Sequence, residues 1–188
     1  MSFPVEVAQA LYGAWRFARL DRHALQYFDL SHRGVWRSFW AAAICYPGFF
    51  VLMLLRLDDD TVAQSGLLRI TIVETIGYVI AWSGFTLLVL GFCRWIGRED
   101  RGFDFIVAYN WSSVLQTLLF VIVSTFADLA LSQKVGIDLI FAANIAVLAY
   151  EWFIALVVIG AGGWFAAAIV FMDVAIGTIV PAIATNLY

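Results

Sequence analysis

Two carboxylic acids, Glu151 and Asp173, lie inside long apolar runs of this 188-residue chain, where an ionised group has no water to solvate it. At a helical rise of 1.5 Å per residue, each sits about 12–15 Å from the same end of its run, close to the middle of a bilayer. An acid at that depth costs about 2.5–3.5 kcal/mol to insert, and such residues face a bundle interior or a cavity. Asn144, seven residues before Glu151, falls on the same helical face. Tyr150, Asn110 and Gln116 are candidate hydrogen-bond partners from the bundle. No Lys or Arg lies at that level. A lone carboxylate in low dielectric is strongly disfavoured, so the expected state is a neutral acid that donates a hydrogen bond. Three readings stay open: a proton or cation path, a neutral acid that ties helices together, and an assembly contact whose cation comes from another subunit.

Other chemistry is excluded more firmly. The only histidines, His23 and His32, lie outside the apolar runs, which argues against an embedded bis-histidine haem. Neither a Cys pair nor a His pair has metal-ligand spacing, so no zinc site is expected. There is no glycine-rich phosphate cradle between a strand and a helix, and no Ser–His–Asp set. No catalytic residue, metal or cofactor is therefore expected. Glu74, Asp104 and Asp128 stand near the ends of runs and read as caps or interfacial groups. Cys45 and Cys93 sit within apolar runs and read as small core residues.

The elements that must position these acids follow from composition. The chain is 63% hydrophobic and 13% charged, where a soluble domain carries about a quarter charged residues. Water cannot be the solvent for most of it. Five runs reach the length of about 20 residues that a bilayer core requires: Trp36–Leu57, Ile70–Cys93, Phe105–Leu131, Gly136–Ile159 and Trp164–Leu187. A backbone in lipid must satisfy its own hydrogen bonds, so each run is a helix. The expected fold is all-α: a five-span bundle over residues 36–188, preceded by a segment over residues 1–35. Pro47 and Pro181 fall inside the first and last spans and are expected to kink them.

Within the first 35 residues, Ser2 and Pro4 suit the start of a helix. Ala8, Leu11, Tyr12, Trp15 and Ala18 then recur at helical spacing, with Glu6, Gln9, Arg16 and Arg19 largely off that stripe. Leu25, Tyr27 and Phe28 follow in a second short segment. A basic, aromatic, amphipathic helix beside a span reads as one lying in the membrane interface, with lipid as its partner. The alternative is that its apolar face packs on the other helices or on another subunit. Small residues at close-packing spacing (Gly77, Ala81 and Gly84; Ala142, Ala143 and Ala146) point to helix contacts within the chain ahead of self-association. Trp36, Trp95 and Trp164 suit interfacial anchoring, whereas Trp152 sits deeper.

Between Arg94 and Gln116 the chain reads RWIGREDRGFDFIVAYNWSSVLQ, a basic loop leading into the third span. From Trp152 to Thr178 it runs span, glycine turn, span. This layout, over roughly residues 36–188, resembles the Yip-type membrane proteins, which have a cytosolic N-terminal segment and five spans. Their Asp-Leu-Tyr-Gly-Pro element has only Leu11-Tyr12-Gly13 as a counterpart, upstream of the expected place and flanked by Ala10 and Ala14. The resemblance implies a non-enzymatic membrane protein, linked in eukaryotes to small GTPases and vesicle traffic, and it transfers no catalytic residue. The leading expectation is a scaffold or accessory subunit of a membrane complex. The alternative is a small proton- or cation-translocating protein using Glu151 and Asp173. With 11 Lys+Arg spread along the chain, no nucleic-acid partner is expected.

Arg16, Arg19, Arg22, Arg33, Arg37, Arg94, Arg98 and Arg101 fall on one side of the spans, against Arg56, Arg69 and Lys134 on the other. The positive-inside rule then places the N-terminus in the cytoplasm and the C-terminus outside, with a bacterial inner membrane as the expected setting. A membrane-impermeant thiol reagent should therefore label Asp60→Cys in intact cells. Labelling only after permeabilisation would invert the topology.

Overall fold

The computed structural model describes residues 3–130 and 132–188. Ser2, the expected cap, and Leu131, the expected end of the third span, lie outside them. The described residues form helices and no strands: α1 (Phe3–Ala18), a 3₁₀ turn (Ala24–Tyr27), α2 (His32–Ser38), α3 (Trp40–Arg56), α4 (Asp59–Ser65), α5 (Leu67–Trp95), α6 (Glu99–Ala130), α7 (Gln133–Ile159) and α8 (Gly163–Thr185). Five stretches are long and apolar enough to cross a membrane: α2 with α3, then α5, α6, α7 and α8. The chain is an integral membrane protein by that criterion.

Several helices outrun their apolar cores. α6 starts at Glu99, six residues before the apolar run at Phe105, because Glu99 and Asp100 in its first turn suit the positive end of the helix dipole. The first span begins at His32, where Ser31 Oγ accepts the Gly34 amide at 3.2 Å, and it is interrupted only at Phe39. Asp58 caps α4 by accepting the Thr61 amide at 2.7 Å, which holds its carboxyl below the usual range. Pro47 and Pro181 lie inside α3 and α8, each removing one amide donor. Between α7 and α8 the chain reverses through Gly160 (φ 65°) and Gly162 (φ 108°), backbone conformations that a side chain resists.

α6 is the central helix and packs on α1, α2, α3, α5 and α7, while α8 closes the bundle against α5 and α7. Gly77 and Gly84 face Val180 and Ile176 of α8, so the small-residue face of α5 is used within the chain. Ala143 is buried, whereas Ala142 and Ala146 are exposed. The two ends of the bundle differ. At the α1 end, Phe17, Phe105, Ile106, Trp111, Ile154 and Ile159 form one close-packed core. At the Asp58 end the C-terminal residues are tied to α4 and α5. Ser65 Oγ donates to the Tyr188 carbonyl at 2.6 Å, an Arg69 guanidinium nitrogen to the Leu187 carbonyl at 2.6 Å, and the Tyr188 hydroxyl to Glu74 Oε1 at 2.8 Å. Glu74 is thus a buried anchor for the C-terminus and not an exposed end group.

α1 turns a face of small residues inward and its aromatic stripe largely outward. Glu6, Ala10, Gly13, Ala14 and Phe17 are buried, while Ala8, Tyr12, Trp15 and Ala18 are exposed and Leu11 is half-buried. Small side chains win because they let α1 approach α6 closely, which Tyr12 and Trp15 cannot do. Phe17 stacks on Phe28 and meets Phe153 of α7 edge-on. Glu6, off the apolar stripe, pairs with Arg37 of α2. Arg16 binds Asp21 at 2.7 Å and Arg19 is exposed. Residues 3–35 thus share one core with the spans.

α3 meets α6 at Gly48, where an added Cβ would lie 2.6 Å from Thr117 Cγ2. At Gly91 of α5 nothing lies within 4 Å of one. Gly48→Val should therefore destabilise the bundle by about 1–3 kcal/mol relative to Gly91→Val, since both sites carry the same change in helix propensity. Denaturant titration in mild detergent measures the difference, and equal stabilities would contradict the α3–α6 contact.

Candidate functional site

The glycine turn sets α7 and α8 side by side, which brings Glu151 and Asp173 to one level of the bundle. Glu151 is 3% exposed. Asp173 accepts a hydrogen bond from the Tyr109 hydroxyl of α6, and the two carboxyls are near neighbours. Glu151 Oε2 is buried without a hydrogen-bond partner, as is Gln116 Nε2 of α6. All four residues line one cavity of about 370 Å³, together with Thr117, Phe120, Asn144, Thr178 and the aliphatic wall of Leu52, Val147, Leu148 and Val174. No Lys or Arg lines it.

The cavity has a direction. Leu52, Phe120 and Asn144 also line a second cavity of about 650 Å³, whose outer rim includes the exposed Arg56, Asp128 and Gln133. The two cavities are neighbours along the bundle between the acid pair and the Asp58 end. Toward α1 the way is filled. The Tyr109–Asp173 bond lies across it, the close-packed core beneath it, and α1 is tied on by the Tyr150 hydroxyl, which donates to the Ala14 carbonyl at 2.8 Å. Asn110 is drawn the same way, donating to Ser38 Oγ at 2.9 Å.

Of the residues grouped by sequence, Glu151, Asp173 and Asn144 share the cavity and Tyr150 does not. Tyr150 is turned toward α1, because neighbouring positions on a helix point about 100° apart. Asn144 keeps its amide on its own helix, donating to the Ile140 carbonyl at 2.8 Å, and so does not bond Glu151. Tyr109, the partner of Asp173, is the residue that sequence reasoning missed. The available signal was its spacing of seven from Gln116, which puts both on one face of α6. Among the described residues no three His, Cys, Asp or Glu side chains converge as metal ligands. No protein family, curated protein or solved structure matches the chain.

The arrangement offers a mostly apolar recess with two carboxyls on its wall. Access predicts reactivity. In a Cys45→Ala, Cys93→Ala background, Asn144→Cys and Thr178→Cys should react with a hydrophilic thiol reagent supplied at the Asp58 end. Ala155→Cys, in the packed core at 1% exposure, should stay unmodified. Equal protection of all three would mean that the recess is closed.

Proposed function

We propose that this chain is a non-enzymatic membrane protein that takes a proton or small cation from the Asp58 side to the Glu151–Asp173 pair and passes it across the bilayer. One observation carries the reading: two neighbouring carboxyls, Glu151 and Asp173, line one recess that no Lys or Arg lines, and one Glu151 oxygen has no hydrogen-bond partner. The scaffold or accessory-subunit reading leads on sequence grounds, but it assigns no task to two neighbouring acids that line a recess without a basic partner. The five-span layout that resembles Yip-type proteins enters only as architecture.

The Lys/Arg asymmetry supports a cytoplasmic α1 end and an exterior Asp58 end in a bacterial inner membrane. Trp36, Trp95 and Trp164, all highly exposed, suit the headgroup level at the α1 end. On the outer face of α1, Val5, Tyr12 and Trp15 are exposed, with Arg19 and Arg22 nearby to meet anionic headgroups. In this scheme the cavity faces outward, and release to the cytoplasm requires the Tyr109–Asp173 bond to open and α1 to yield.

Reconstituted vesicles decide the matter. Under an imposed pH or cation gradient, the wild-type chain should carry flux above protein-free vesicles. Glu151→Gln and Asp173→Asn should lower that flux at least about tenfold, the equivalent of 1.4 kcal/mol in a barrier. Both amides keep hydrogen-bonding capacity, so elution in mild detergent should be unchanged. Wild-type flux in both variants, or none from the wild type, would reject transport.

A further inference from the structure

We infer that the cation this cavity accepts is a small organic ammonium ion with an apolar body; the inference rests on the acid pair being a cation site, as proposed above. Size is the first argument. A bare metal ion is held by a close shell of oxygens, 6–8 for calcium at about 2.3–2.6 Å. The recess is about 370 Å³ and no three ligating side chains converge among the described residues. A proton needs no cavity at all. Recesses of about 300–1,000 Å³, mostly apolar with a few placed polar groups, are the kind that hold small organic molecules.

The wall is the second argument. Glu151 and Asp173 present two carboxyl groups on the α7–α8 side, able to give up a proton in exchange for an arriving ammonium, and Leu148 and Val174 supply hydrocarbon beside them. A hydrated inorganic ion gains nothing from that hydrocarbon, whereas an alkyl or aryl group buries against it. From α6 comes the aromatic side chain of Phe120, and an aromatic ring attracts a cationic nitrogen. Asp173 already accepts from Tyr109, whereas Glu151 lines the recess and keeps one oxygen that no protein group bonds. The neighbouring outer cavity of about 650 Å³, which shares Leu52, Phe120 and Asn144 with the recess, is the route of entry this inference assigns.

Benzyltrimethylammonium is the probe, measured by equilibrium binding to the full chain in lipid nanodiscs, with empty nanodiscs as the blank. Saturable binding is expected, not displaced by equimolar potassium or by neutral benzyl alcohol. Glu151→Gln should weaken it at least about tenfold and Phe120→Ala several-fold, in line with desolvated charge and cation–π contacts. Leu148→Trp, which fills the recess, should abolish binding and serves as the test if Glu151→Gln does not assemble. Binding that is absent, or unchanged in Glu151→Gln or in Leu148→Trp, overturns the inference. The two proposals fail separately. Glu151-dependent proton or potassium flux without probe binding removes the organic ligand and leaves transport. Glu151-dependent probe binding without any flux upholds this ligand class and removes transport.

Discussion

A peptide group in hydrocarbon has no water to bond, and this constraint organises the whole chain. It forces each apolar run into a helix that satisfies its own backbone and leaves side chains as the only means of joining helices. Apolar side chains gain little by leaving lipid for each other, so close approach and hydrogen bonds decide the packing. Both devices appear repeatedly. Gly48 admits Thr117 where α3 meets α6, and Gly77 admits Val180 where α5 meets α8. The Tyr46 and Thr75 hydroxyls share a hydrogen bond across α3 and α5 at 2.7 Å, and Tyr78 reaches the Ala42 carbonyl at 2.7 Å. A polar group placed at depth therefore either joins helices or stands beside a cavity.

The same constraint explains why the bundle is dense at one end and open at the other. Around α1 the aromatic side chains interlock: Phe17 with Phe28 and Phe153, and Phe105 with Phe85 and Tyr109. Toward the Asp58 end, α3, α6, α7 and α8 enclose space in place of side chains, with Asn144 and Thr178 on its wall. The Ser65, Arg69 and Glu74 contacts to the last two residues hold that end together at its perimeter, outside the cavity. Burial and the Glu74 contact push the Tyr188 hydroxyl up to about 12, so it stays a donor through the physiological range. Rigidity at the edge and room at the centre belong to one arrangement.

How much of this could be read from the residues alone depends on the length scale of the physics. The five helices were legible because hydrocarbon thickness and backbone satisfaction act on the composition of about 20 residues at a time. The level shared by Glu151 and Asp173 was legible because a short glycine turn fixes the register of α7 against α8. The inner face of α1 was not. Its aromatic stripe has the stronger apolar signal, but contact with α6 is limited by size, and Ala10, Gly13 and Ala14 fit where Trp15 does not. Tyr109 and Tyr150 show the same limit. Both are tyrosines inside spans, and only the rotation of each helix in the bundle sends one hydroxyl to Asp173 and the other to Ala14. Tyr188 reaching Glu74 joins residues 114 apart, a pairing no local pattern encodes.

The buried acids, compared with one another, bear most directly on function. Glu6 and Glu151 are each 3% exposed and Glu74 is 5% exposed. Glu6 has been given an arginine, Arg37, from the next helix. Glu74 has a tyrosine, as has the less deeply buried Asp173. Removing one partner from a buried ion pair typically costs about 3–5 kcal/mol, so an unpaired buried charge is not a neutral accident of sequence. The chain has arginines and tyrosines to place beside acids and places them at three sites. At the fourth, it surrounds Glu151 with Gln116, hydrocarbon and a recess that leads out of the bundle. Glu151 thus differs from Glu6 and Glu74 in having a second acid and a recess beside it, with no basic residue on the wall.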